Sequence, residues 1–118
     1  MSDDIQWHVV QVKKWRTYHD DLDTFQDWEV HRDGSDIVFF KINLSATLHD
    51  EIIEVCRYDT CHGHLHVHRF WLPLDQQTKD LEDPKHRFPS YVEAFAAAAQ
   101  DLEDNWDDYR ERMKKPKK

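Results

Sequence analysis

Histidine occupies every second position in the segment His62 to His68. Because side chains on a β-strand alternate between two faces, this spacing predicts a strand that carries His64, His66 and His68 on one face. The two apolar residues between them would lie on the other face. Imidazole binds transition metals and exchanges protons near neutral pH, so three in a row indicate a functional site.

Metal binding is the first chemistry that this row suggests. Histidines two residues apart on a strand are about 6.6 Å apart at Cα, so two can share an ion but three in line cannot. A further ligand must come from Glu54 or Cys56 on the paired strand, or from His62 or His86 in loops. Such a site would suit zinc or a similar transition metal. The candidate metal ligands are His64, His66, His68, Glu54 and Cys56. Exposed histidines also occur without a metal, and the HExxH, CxxC and EF-hand spacings are absent.

Metal-free acid–base catalysis is the second chemistry. Two histidines can act as general base and general acid, and an arginine can neutralise a phosphoryl group. Arg57 or Arg69, on either side of the histidine segment, could supply that arginine, and Tyr58 could supply a hydroxyl. These are groups that a metal-independent ribonuclease would use. The candidate catalytic residues are His64, His66, His68, Arg57 and Tyr58. In the predicted register the two arginines are out of phase with the histidines, so they could instead pair with an acidic helix.

Strands and turns must position these residues. Alternating or β-branched and aromatic segments predict strands over 25–31, 37–44, 52–58 and 64–72. Asp33-Gly34 is a hairpin signal. Residues 73–88 are expected to form a polar loop. The segment 5–22 is ambiguous, and we favour a strand over 5–13 with irregular or helical structure beyond it.

The apolar positions of these strands predict which face is the core. The core set is Phe40, Ile42, Leu44, Ile53, Val55, Leu65 and Val67. The opposite face then carries Phe39, Lys41, Asn43, Glu54, Cys56, Tyr58 and the three histidines. Cross-strand neighbours interact, so this register places Glu54, Cys56 and Tyr58 beside the histidines. A slip of one residue would reverse the assignment.

A long C-terminal helix is predicted to cover the apolar face. Ser90 and Glu93 form a capping-box pattern, and the helix should continue to Met113. Its apolar stripe is Tyr91, Phe95, Ala98, Leu102, Trp106, Tyr109 and Met113, and its exposed side is Asp101, Asp104, Asp107, Asp108 and Glu111. We therefore predict an α+β fold, an antiparallel β-meander with one long C-terminal helix packed on one face. Residues 1–118 would form a single domain with a core over about 5–113 and a flexible basic tail over 114–118.

Composition narrows the class of protein. A chain of 118 residues is long enough for one modest core. Its formal net charge of −8 argues against non-specific coating of nucleic acid. Two cysteines do not make a disulfide framework, and we see no signal peptide or membrane-spanning segment. These features predict a cytoplasmic protein with free thiols and no membrane association.

The segment from Val55 to His68 also carries a recognisable pattern, RYD…HG…H.H. It resembles small prokaryotic proteins with this signature, and residues 103–110 are similar to their C-terminal helix. These proteins are similar to the TumE-like group of toxin–antitoxin components, in which YDN…G…HRH on a hairpin precedes a helix. The resemblance covers about half of the chain, which departs from the TumE-like pattern in having His64 and a cysteine-containing turn. The matching positions are Arg57, Tyr58, Asp59, His62, Gly63, His66 and His68.

This resemblance implies an intracellular toxin–antitoxin protein that acts on RNA through the histidine face and has a cognate antitoxin as partner. The alternative is a non-enzymatic module that binds a metal or another protein. The sequence leaves both functions open.

Overall fold

The computed structural model describes residues 10–19, 23–81 and 90–115. Its six strands form one antiparallel sheet in chain order, and one helix packs on the third and fourth strands. The strands and the helix are β1 (Gln11–Tyr18), β2 (Thr24–Asp33), β3 (Asp36–Leu48), β4 (Glu51–Asp59), β5 (His66–Arg69), β6 (Thr78–Asp80) and α1 (Tyr91–Met113). The predicted α+β meander with a long C-terminal helix is confirmed.

Tight turns connect β2, β3 and β4. Gly34 has φ +63°, and the pairing of Asp33 with Asp36 makes Gly34 the first residue of a two-residue loop. In the next turn His49 and Asp50 both have positive φ, at 54° and 65°. Two-residue loops with positive φ match the twist of antiparallel strands, so these turns help to fix the register.

The core lies between the sheet and α1. Ala98 and Leu102 are buried, as predicted, and Ala94 joins them. Alanine has a small side chain, so the helix axis can approach the sheet closely. On the sheet, the predicted core residues Phe40, Ile42, Leu44, Val55, Leu65 and Val67 are all buried. Ile53 is only partly buried.

A β-bulge in β4 changes which side chains share a face. Leu44 pairs with Cys56 and Ser45 pairs with Glu54, so Val55 is an extra residue on β4. Val55 and Cys56 are therefore both fully buried although they are adjacent in sequence. Beyond the bulge, Cys56 and Tyr58 face the helix, while Arg57 and Asp59 face away from it. The prediction that Cys56 and Tyr58 lie beside the histidines is wrong for this reason.

Two further predictions are corrected by the structure. The first strand runs from Gln11 to Tyr18, so residues 14–18 are neither irregular nor helical. The segment expected as a polar loop contains a short 3₁₀ helix, Leu74–Gln76, followed by β6. β6 is a three-residue strand of exposed polar residues that pairs with β5.

Some predictions lie outside the described residues. They concern residues 5–9, 20–22, 82–89 with His86, and 116–118 of the basic tail, and the side chain of His62 is likewise not described. The extent of the domain stays a prediction. Within the part of the chain that the structure describes, no helix has both the length and the apolar character needed to cross a bilayer.

Candidate functional site

The sheet face opposite α1, here called the open face, carries two adjacent rows of polar side chains that cross all six strands. Paired residues of neighbouring strands define each row. One row is Arg16, Asp27, Asn43, Arg57, His68 and Thr78; the other is Lys14, Glu29, Lys41, Asp59, His66 and Asp80. Charges of opposite sign alternate from Lys14 to Asp59 in the second row, and Arg16 lies opposite Asp27 in the first, which favours cross-strand pairing.

The three histidines lie together on this face, as predicted. The ring centroids of His64 and His66 are 4.3 Å apart, and those of His66 and His68 are 6.3 Å apart. Each ring is partly exposed, while Leu65 and Val67 between them are buried in the core. β5 positions His66 and His68 by strand alternation, and His64 continues the row just before the strand begins.

Asp59 lies beside His68, at one end of the line of three histidines. Its side chain is only 8% exposed. Its Oδ2 lies 3.2 Å from His68 Nε2 and accepts a hydrogen bond from Arg57 Nε at 3.2 Å. Its Oδ1 accepts the Cys61 backbone N–H at 3.1 Å. Two N–H donors and the neighbouring His68 ring therefore surround this buried carboxylate, as a buried charge requires.

Arg57 lies on the same face as the histidines, whereas the register predicted from the sequence placed it out of phase with them. It pairs with His68 across β4 and β5 because the bulge inverts the faces of β4. Its guanidinium also lies 5.6 Å from the centre of the Phe70 ring. Arg69 is paired with Cys56, so its prediction as out of phase with the histidines is confirmed.

The surroundings of His68 lower the pKa of its imidazole. Desolvation by burial lowers its pKa, and the nearby positive charge of Arg57 lowers it further, although Asp59 opposes both effects. Its Nδ1 lies 3.0 Å from Thr78 Oγ1. If Nε2–H is donated to Asp59, Nδ1 is the acceptor nitrogen and accepts the Thr78 hydroxyl hydrogen. A substrate hydroxyl that took the place of Thr78 would meet this acceptor nitrogen.

At the other end of the line of three histidines, His64 and His66 lie beside Asp80 of β6. His64 Nε2 lies 3.3 Å from Asp80 Oδ2, and one possible ligand atom from each of the three residues lies within 4.8 Å of the others. Sequence reasoning missed Asp80, since it placed residues 73–88 in a loop. A three-residue polar edge strand has no hydrophobic alternation by which it could have been found.

The remaining predicted residues do not join the histidines. Glu54 accepts hydrogen bonds from Asn43 at 2.7 Å and from Arg57 at 3.2 Å, so it supports the arginine instead. Cys56 is fully buried, and burial above all raises its pKa to about 12, which makes it an inert thiol.

Tyr58 also serves the helix side of the sheet. Its hydroxyl donates to Asp101 Oδ2 at 2.6 Å. Burial and this hydrogen bond raise the pKa of Tyr58. Asp101 also accepts from Tyr109 at 2.7 Å and from Asn105 at 2.9 Å, so it is not part of an exposed acidic face as predicted. This network fastens α1 to β4.

A cavity of about 500 Å³ lies beside the histidine region rather than at it. Two of its lining residues, Lys41 and Asn43, are the cross-strand partners of Asp59 and Arg57. The cavity is lined by Lys14, Trp15, Arg16, Asp27, Trp28, Glu29, Lys41 and Asn43. Its charged lining residues belong to the open face, whereas Trp28 contacts Phe95 of α1 and Trp15 stacks on Trp28.

Residues 10–118 match a family described as a domain of unknown function, DUF7718. This match spans most of the chain. No curated protein and no solved structure matches the chain. The family's description assigns no activity and makes no link to toxin–antitoxin components, so the function is argued from the site.

Proposed function

We propose that this chain, which belongs to the DUF7718 family, is an intracellular toxin-type protein that cleaves RNA on the open face and is held in check by an antitoxin. The observation that carries the proposal is the cluster of Asp59, His68 and Arg57. It combines a neutral histidine, a carboxylate that orients it and a cation that can bind phosphate. The RYD…HG…H.H resemblance supports the same reading.

The cluster supplies the parts for cleavage by the RNA's own 2′-hydroxyl. His68 Nδ1 would take the proton of that hydroxyl, and the oxygen would then attack the adjacent phosphorus. The bond from phosphorus to the 5′-oxygen breaks, and His66 would give that oxygen a proton. The products are a 2′,3′-cyclic phosphate and a 5′-hydroxyl. Asp59 would not contact the RNA itself; it would fix the tautomer and orientation of the His68 ring.

Arg57 would contact the non-bridging oxygens of the phosphate. The Arg57 side chain is 27% exposed, and its guanidinium is held in place by Asp59 and Glu54. The Phe70 ring stacks on His68 at a centroid distance of 6.0 Å and an interplanar angle of 11°. A flat aromatic beside an arginine is a surface on which an unpaired base can stack.

The charges on the open face limit how strongly it can attract RNA. Lys14, Arg16 and Lys41 lie along the cavity that leads from the cluster to β1, but Asp27 and Glu29 lie among them. With a net charge of −8 on the whole chain, attraction for phosphate is local. We therefore expect weak binding that salt reduces further.

Cleavage of a labelled single-stranded RNA in the presence of EDTA tests the proposal. The wild type should produce a 2′,3′-cyclic phosphate end. His68→Gln should be slower by about 10²- to 10⁴-fold, the contribution expected of a general base. His49→Asn is the matched control, because His49 lies in the β3–β4 turn away from the cluster and asparagine tolerates its positive φ. Equal cleavage by wild type and His68→Gln would refute the assignment.

The toxin role needs a separate measurement. Expression of the wild type in a bacterial host should arrest growth, and His68→Gln should relieve the arrest at equal protein level. Growth that is unaffected by the wild type would remove the toxin role while leaving the RNA chemistry to the cleavage assay.

A further inference from the structure

We infer that His64, His66 and Asp80 form a binding site for a divalent transition metal ion, with zinc as the fitting ion. The site lies where β5 meets β6, at the edge of the open face. The inference goes beyond the proposed RNA chemistry and is tested separately from it. His66 belongs to both proposals, but cleavage is assayed in EDTA, where His66 carries no metal, and the base His68 is not one of the three ligands.

The geometry is already close to a coordination shell. His66 and Asp80 are directly paired across the two strands, and His64 Nε2 lies 3.3 Å from Asp80 Oδ2. The three ligand atoms lie within 4.8 Å of one another. Ligand atoms about 2.0–2.2 Å from a tetrahedral zinc are about 3.4 Å apart, so the longest separation must shorten by about 1.4 Å at most.

The side chains have the freedom to make that adjustment. His64 is 39% exposed and Asp80 is 52% exposed by side chain. Rotation of exposed side chains does not disturb the core, which begins at Leu65 and Val67 behind them. The backbone can therefore stay as it is when the ion binds.

The donor set selects the kind of ion. Two imidazoles and one carboxylate suit zinc and similar transition metals, whereas magnesium and calcium prefer oxygen ligands alone. Asp59 is the cross-strand partner of His66 on its other side and places a further negative charge next to the site. With three protein ligands, a fourth position remains for water or a substrate atom.

Two other residues of the predicted ligand set contact other partners in this structure. His68 lies between Asp59 and Thr78, and Glu54 accepts hydrogen bonds from Asn43 and Arg57. The sequence-based ligand set of His64, His66, His68, Glu54 and Cys56 is thus replaced by a smaller one that includes a carboxylate from β6.

Zinc titration by calorimetry tests the site, using the full chain purified without a nickel column and stripped with EDTA. At about pH 7.5, where imidazole is mostly unprotonated, the wild type should bind one zinc ion. His64→Ala, His66→Ala and Asp80→Asn should each weaken binding at least about tenfold. His68→Gln and His49→Asn are the matched controls and should bind like the wild type.

Cobalt(II) added to the wild type gives a second readout that needs no variant. A site with two nitrogens and one oxygen should give the visible absorption of four- or five-coordinate cobalt, and zinc should displace it. Absence of zinc binding by the wild type, or equal binding by wild type and His66→Ala, would overturn the site. Unchanged binding by Asp80→Asn would overturn this ligand set. Because RNA cleavage is assayed in EDTA, failure of either proposal is seen separately from the other.

Discussion

The two faces of the same sheet have the same strands but different chemistry. On the helix face, the buried Tyr58 donates its hydroxyl to Asp101 of α1. On the open face, Arg57 and His68 also have partners, but their side chains remain 27% and 19% exposed. The comparison teaches that α1 decides which residues of the sheet are covered and serve stability and which remain accessible.

Burial acts on both faces but has opposite consequences for reactivity. Desolvation disfavours the charged form of any group. It therefore raises the pKa of Cys56 to about 12 and keeps that thiol protonated and unreactive. It lowers the pKa of His68 and so favours the neutral ring, which is the form that accepts a proton.

The largest expected effect is on the helix face. Phe40→Ala should reduce the free energy of unfolding by about 3–5 kcal/mol, because Phe40 is fully buried. Phe39→Ala is the matched control, since Phe39 is the adjacent residue on the other face and only partly buried. Urea denaturation measures both variants. A loss at Phe39 equal to that at Phe40 would contradict the division of the sheet into a core face and an open face.

Tyr58→Phe should cost less, about 1–3 kcal/mol, since it removes one hydrogen bond to Asp101 and leaves the aromatic ring in place. Because Tyr58 faces the helix, RNA cleavage by this variant should equal that of the wild type under conditions where both are folded. Selective loss of cleavage without loss of stability would return Tyr58 to the catalytic set and refute the face assignment.

The stability of the wild type should depend on pH through His68. Its folded-state pKa is below its ordinary value of about 6.5, so the unfolded chain binds the proton first as the pH falls. The contribution is fully present above that value and decreases as the pH falls through the window below it. Denaturation at about pH 7.5 and 5.5 should show a smaller decrease for His68→Gln than for the wild type. Identical decreases would show that His68 has no lowered pKa.

The smallest expected effect on stability is at the proposed metal site. His64→Ala should change the free energy of unfolding of the metal-free protein by less than about 0.5 kcal/mol, because the side chain is exposed and lies outside the core. Added zinc should stabilise the wild type and not this variant, as a ligand that binds only the folded state would. A large loss of stability without zinc would mean that His64 is structural.

Much of the fold could be predicted from local patterns. The alternation in 37–44, the turn signal at Asp33-Gly34 and the capping box at Ser90 each depend on neighbours within a few residues, and each led to the right element. The bulge at Val55 has no such local signature, yet it moves Cys56 and Tyr58 to one face and Arg57 and Asp59 to the other. β6 was missed because its polar residues gain their strand structure only from pairing with β5.

The sequence by itself determined that His64, His66 and His68 share one face, since strand alternation is a property of the backbone. Only the tertiary structure decided their partners. Asp80 reaches His64 and His66 through pairing of an edge strand, and Asp59 reaches His68 through a register set by the bulge. Pairing between strands depends on contacts among residues distant in sequence, so a pattern read along one strand could not specify it.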